Sequence, residues 1–90
     1  MENFSIVVPV YNESQNLIKL VKEINDSLVK DYKYELIIVD DGSNDNSVNV
    51  INELMIKYPI KFIRHKNKLG QSQSILTGIK NASSTIIVTI

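Results

Sequence analysis

Cysteine is absent from this 90-residue chain, which removes disulfides, zinc–thiolate sites and thiol nucleophiles together and leaves stability to packing. Net charge is absent as well. Ten basic residues balance ten acidic ones, so no overall field draws in nucleic acid or anionic lipid, and electrostatic recognition has to be local. No apolar run approaches the roughly 20 residues that cross a bilayer. The opening Met1-Glu2-Asn3-Phe4 has neither the basic region nor the long apolar stretch of a leader peptide. The expectation from these absences is a soluble cytoplasmic protein without nucleic acid as a partner. Also missing after the first apolar run are a glycine-rich dinucleotide fingerprint and a phosphate loop. Gly42 and Gly70 stand alone as turn glycines, so hydride transfer and P-loop chemistry lose their usual support.

What is present has the composition of an ordinary globular domain, with 43% hydrophobic and 22% charged residues. Phe4 to Val10 is a β-branched apolar run without polar alternation, the pattern of a strand covered on both faces. Asn12 is placed to cap a helix over about Ser14 to Val29, with Gln15 three residues on and Leu17, Leu20, Val21, Ile24 and Leu28 at helical spacing. The alternation repeats. Glu35 to Val39 reads as a second strand, and Val48, Ile51, Leu54, Met55 and Tyr58 stripe a second helix stopped by Pro59. Ile60 to Arg64 follows as a third strand, Ile75, Leu76, Ile79 and Ala82 mark a third helix, and Thr85 to Ile90 makes a fourth strand. Strands alternating with helices of this length predict an α/β, Rossmann-like fold: a mainly parallel sheet of about four strands with three helices. An apolar edge strand is normally followed by chain that covers it, so the 90 residues are expected to be the front portion of a longer domain.

In open parallel sheets ligands bind beyond the carboxyl ends of the strands, which directs attention to the residues after Val10, Val39 and Arg64. Tyr11 offers an aromatic face to a base, Glu13 an acceptor for a ribose hydroxyl, and Asp41 an acceptor for the ring N–H of uracil or guanine. A plainer reading stands beside this one, in which Asn12 and Glu13 only start a helix and Asp40 to Asp45 are the favoured residues of a strand-to-helix turn. Two adjacent carboxylates repel unless one accepts hydrogen bonds from backbone or ligand. Asp41 is therefore the functional candidate and Asp40 the structural one. Lys61, Arg64, Lys66 and Lys68 gather around the end of the third strand, either as a solvated face or as an attraction for pyrophosphate. His65 alone supports no assignment. One acidic turn of Asp40, Asp41 and Asp45 also gives poor enclosure for a catalytic metal of a hydrolase.

Taken together, Ile6-Val7-Val8-Pro9-Val10-Tyr11-Asn12-Glu13 and Ile38-Val39-Asp40-Asp41-Gly42-Ser43-Asn44-Asp45 resemble the opening of family two glycosyltransferases with a GT-A fold. Gly70-Gln71-Ser72 and Gly78-Ile79-Lys80-Asn81-Ala82 extend the resemblance over essentially the whole chain. Lys68-Leu69-Gly70-Gln71-Ser72 looks most like the branch similar to dolichol-phosphate mannosyltransferases and bacterial polyprenyl-phosphate sugar transferases. The resemblance implies that Pro9, Tyr11, Glu13, Val39 and Asp41 border the nucleotide of a UDP- or GDP-sugar; from the basic cluster, Lys68 is the candidate for contact with its pyrophosphate. It implies a lipid-phosphate or glycan acceptor, and for the full-length enzyme a place at the cytoplasmic face of the membrane. It further implies Mg2+ or Mn2+ held by a D-x-D motif expected after Ile90, so that the 90 residues contain neither the metal ligands nor a general base and do not hold the ion tightly. One departure is Ser84, where members usually have glycine; a turn there remains feasible without it. Outside this resemblance, a non-catalytic Rossmann-like module stays open as the alternative.

Overall fold

The computed structural model describes residues 2–28 and 30–90. Each apolar run has become a strand and each striped segment a helix, in the order β1 (Glu2–Val10), α1 (Ser14–Leu28), β2 (Tyr32–Asp40), α2 (Ser47–Lys57), β3 (Ile60–Arg64), α3 (Gln71–Lys80) and β4 (Ile86–Thr89). Val29, the expected end of the first helix, lies outside the described residues. The strands form one sheet in the order β3-β2-β1-β4, and every neighbouring pair is parallel, with Val7 opposite both Ile37 and Thr89. This is the α/β class expected from the sequence.

Handedness explains where the helices go. From β1 through β2 to β3 the chain advances in one direction, so right-handed crossovers put α1 and α2 on the same face. The passage from β3 to β4 runs back across the sheet, and the same rule puts α3 on the opposite face. A switch point results between β1 and β4, where a crevice opens beyond the carboxyl ends of the strands.

The face under α1 and α2 carries the larger core: Ile6, Val8 and Val10 of β1, Leu36 and Ile38 of β2, Leu17, Val21 and Ile24 of α1, and Val50, Ile51 and Leu54 of α2. On the α3 face the buried apolar cluster is Val7, Ile37 and Val39, with Ile63 and Ala82 against it. Two expected helix stripes are corrected here. In α2 the buried positions are Ser47, Val50, Ile51 and Leu54, while Met55 is exposed. In α3 they are Ser74 and Gly78, while Leu76 and Ile79 face outward. The cause in α3 is proximity. A Cβ on Gly78 would lie 2.3 Å from Val7 Cγ1, so the helix approaches the sheet on its small residues rather than on its large ones. Ser84 sits in its turn without strain, since Asn12 is the one non-glycine residue with positive φ among the described residues, and its N–H donates to Ser5 Oγ at 3.0 Å.

Candidate functional site

The two loops that leave β1 and β2 are joined to each other before they begin their helices. Asn12, at φ 52°, is not the cap of α1; its N–H donates to Ser43 Oγ at 2.8 Å and its Oδ1 accepts from the Asn44 N–H at 3.0 Å. The carbonyl of Glu13 takes the first N–H groups of α1, from Asn16 and Leu17. The Glu13 N–H donates to Ser47 Oγ at 3.1 Å. Asp45 reaches both helix starts, accepting from the Ser47 N–H at 2.8 Å and the Ser14 N–H at 3.4 Å. These bonds satisfy N–H groups that helix starts leave without intrahelical partners.

The adjacent carboxylates then separate by the alternation of a strand. Asp40 is fully buried. Its Oδ2 accepts from the Ser43 N–H at 3.0 Å and lies 3.7 Å from Arg64 Nε, while Oδ1 has no hydrogen-bond partner among the described residues. Asp41 turns to the α3 side. Its Oδ1 accepts from the Leu69 N–H at 2.8 Å and lies 2.8 Å from His65 Nδ1; its Oδ2 accepts from the Gly70 N–H at 2.9 Å. Burial opposes ionisation of Asp41, but these bonds from His65, Leu69 and Gly70 outweigh it and hold the carboxyl below the ordinary aspartate range.

At the switch point these loops enclose a cavity of about 400 Å³. Pro9, Val10, Tyr11 and Glu13 form its β1 side, Asp41 and Lys68 its β2 and β3 side, and Gln71, Ser74 and Ile90 close it from α3 and β4. Five of the sequence candidates, Pro9, Tyr11, Glu13, Asp41 and Lys68, thus line one cavity. Val39 does not: it is fully buried in the sheet, packed with Val7 and Ile37. The Lys68 ammonium lies 3.9 Å from the centroid of the Tyr11 ring, over its face. Of the other basic residues, Lys61 is away from the cavity, bonded to the Asn81 carbonyl at 2.8 Å, and Arg64 is held toward Asp40.

His65 is the residue that sequence reasoning passed over. Its pairing with Asp41 depends on register: the His65 N–H donates to the Asp40 carbonyl at 2.8 Å, which sets the two side chains on one face. The signal for Ser74 was the spacing of small residues Ser74 and Gly78, one helical turn apart on the sheet side of α3.

A group of three or more His, Cys, Asp or Glu able to hold a metal ion does not occur among the described residues. Asp40 and Asp41 lie on opposite faces, and Asp41 is engaged by nitrogen donors. This acidic turn does not fit a divalent ion by itself. Among the described residues no helix is long and apolar enough to cross a membrane.

Comparison with known proteins decides the family, because residues 5–90 match the model of glycosyl transferase family 2. The chain belongs to that family. Among relatives, a dolichol-phosphate mannosyltransferase from Pyrococcus furiosus is 38% identical over 84 residues, covering 93% of this chain and 24% of the relative. An undecaprenyl-phosphate 4-deoxy-4-formamido-L-arabinose transferase from Proteus mirabilis is 36% identical, covering 96% of this chain and 27% of the relative. This family 2 chain therefore spans about a quarter of the length of the curated relatives it matches. In fold it is similar to S. aureus TarS 1-349 in complex with UDP-GlcNAc, with a TM-score of 0.86 at 21% identity over 100% of this chain and 26% of that one. It is also similar to a mannosyltransferase from Pyrobaculum calidifontis in complex with GDP-Man and Mn2+, with a TM-score of 0.76 at 22% identity over 93% of this chain and 25% of that one. The GT-A arrangement expected from the resemblance is thus the one observed.

Proposed function

We propose that residues 1–90 are the donor-binding part of a glycosyltransferase that moves a sugar from a UDP- or GDP-sugar to an acceptor oxygen, with a polyprenyl phosphate or a growing glycan as acceptor. The observation that carries this reading is the convergence of Tyr11, Glu13, Asp41 and Lys68 on one cavity at the switch point of a parallel sheet. A carboxylate has about four acceptor directions, and three of those of Asp41 are occupied. The fourth is left to accept a lactam N–H, which uracil and guanine present and adenine and cytosine do not. Glu13 accepts from a ribose hydroxyl. The Tyr11 ring takes the base once Lys68 leaves it, and the displaced ammonium then moves toward the diphosphate, whose charge draws it.

In the reaction the acceptor oxygen bonds to the anomeric carbon, the bond from that carbon to the diphosphate oxygen breaks, and the nucleoside diphosphate departs with the electron pair; a phosphate acceptor attacks as its anion, whereas a glycan hydroxyl gives its proton to a general base other than the residues described. A divalent ion, where the whole enzyme uses one, is held by residues other than those described. Support for the acceptor class comes from the names of the two lipid-phosphate relatives, and a cytoplasmic location belongs to the same proposal.

The test is a titration of the isotopically labelled chain with UDP, GDP, CDP and ADP, watching the amides of Tyr11, Glu13 and Gln71. Selective shifts with UDP or GDP are expected. Equal shifts with all four, or none in a folded chain, would sink the donor-site reading.

A further inference from the structure

His65 is a buried titratable group to which the donor-site reading gives no role. Its side chain is 10% exposed, beside an Asp41 side chain that is 5% exposed. Both ring nitrogens are engaged: Nδ1 is 2.8 Å from Asp41 Oδ1 and Nε2 is 2.9 Å from Thr77 Oγ1. An ionised aspartate only accepts, so the proton between them resides on Nδ1, and Nε2 makes the second bond of the ring with the Thr77 hydroxyl.

This chain of bonds joins three separate elements, the end of β2, the end of β3 and the middle of α3. It also closes the loop between β3 and α3, because the same carboxylate takes the N–H groups of Leu69 and Gly70. Gly42 allows the loop to lie this close: a Cβ there would meet Lys68 N at 3.0 Å and the Asn67 carbonyl carbon at 3.1 Å. The sequence Asp–His–Thr has the order of an acyl-transfer triad, but Thr77 lies within α3, where backbone N–H groups are engaged in the helix and none is free to hold an oxyanion.

We infer that His65 is a positioning residue of the donor site: held by Thr77, it fixes the Asp41 carboxylate and the 66–70 loop, so that one acceptor direction of Asp41 and the Lys68 ammonium are presented to the cavity. The inference rests on the donor-site reading for its ligand, but the clamp itself is a property of the unliganded chain.

Two measurements keep these apart. In histidine-labelled protein, long-range nitrogen–proton spectra are expected to show a proton on Nδ1 of His65, and a ring with a bare Nδ1 overturns the clamp. His65→Phe keeps a planar ring and removes both nitrogens; amide exchange at Leu69 and Gly70 is expected to quicken about tenfold, the scale of one hydrogen bond, while that of Val7 and Ile37 is unchanged. His65→Asn, whose amide N–H can reach Asp41, is expected to restore most of the protection, and Thr77→Val to lose about threefold. Unchanged exchange in His65→Phe, or no recovery in His65→Asn, overturns the inference. With UDP or GDP as probe, affinity is expected to fall about tenfold in His65→Phe and to recover in His65→Asn. If the wild-type chain binds neither, the donor-site reading fails, and the tautomer and exchange results still decide the clamp. Should His65→Phe not fold, Thr77→Val and the tautomer decide it.

Discussion

The two faces of the sheet are held by different physics. Under α1 and α2 the contact is mostly apolar, from Ile6, Val8 and Val10 across Leu36 and Ile38 to Val21, Ile51 and Leu54, with Asp40 and Ser47 buried at its carboxyl end, and its stabilisation is mainly that of area removed from water. Under α3 only Val7, Ile37 and Val39 form a buried apolar band, with polar networks at both of its ends. At the carboxyl end stand Asp41, His65 and Thr77. At the amino end Glu35 Oε2 accepts from Ser5 Oγ at 2.6 Å and from the Ser83 N–H at 2.7 Å, with Lys61 Nζ at 3.8 Å from Oε1. One face supplies mainly stability. The other supplies direction, because hydrogen bonds fix side chains at angles that packing alone leaves loose.

The contrast breaks most easily on the apolar side. Ile51 is fully buried, and Ile51→Ala is expected to cost about 2–5 kcal/mol through lost transfer energy and an unfilled cavity. Urea unfolding at constant slope checks it. For a domain whose stability is of order 5–15 kcal/mol, such a loss removes a large share of the whole.

On the α3 side the comparable lesion is an addition. Gly78→Ala places a Cβ on Val7, with an expected cost of about 1–3 kcal/mol from overpacking, offset by up to ~1 kcal/mol of helix propensity. Pairing it with Val7→Ala sharpens the comparison, since the double variant is expected to be more stable than the sum of the singles. Strict additivity would mean that α3 does not rest on this contact.

The smallest effect concerns the amino-end network. Burial pushes the Glu35 carboxyl up, but the bonds from Ser5 and Ser83 and the Lys61 charge hold it below the ordinary glutamate range. A depressed folded value means stability that is present above the unfolded value, about 4.3, and is lost as the pH falls through the folded one. Wild type is therefore expected to lose more stability than Glu35→Gln between about pH 5 and pH 3, by a margin that thermal melts at both values measure. Equal losses would separate Glu35 from the network.

The fold was legible in the sequence to the degree that it depends on apolar periodicity. β3 matched its expected limits, Ile60 to Arg64, and α1 began at Ser14, because Pro59 and the turn around Asn12 are strong local signals. The α3 stripe departs for the same reason: Ile75, Leu76 and Ile79 are the most apolar residues of that segment, but the face is chosen by the close approach at Gly78, a tertiary fact. The candidate positions Tyr11, Glu13 and Asp41 were legible as strand ends. His65 was not, since its significance lies in partners at sequence distances of 24 and 12 residues, one of them an uncharged hydroxyl in a helix.

The bonds from Asn12 to Ser43 and Asn44 span 31 and 32 residues. Their length along the chain has a kinetic meaning. Contacts of that separation close large loops and form only once β1 and β2 are paired. The cavity wall is therefore a product of strand pairing that no peptide from either motif would reproduce, and anything that delays that pairing delays the appearance of the cavity.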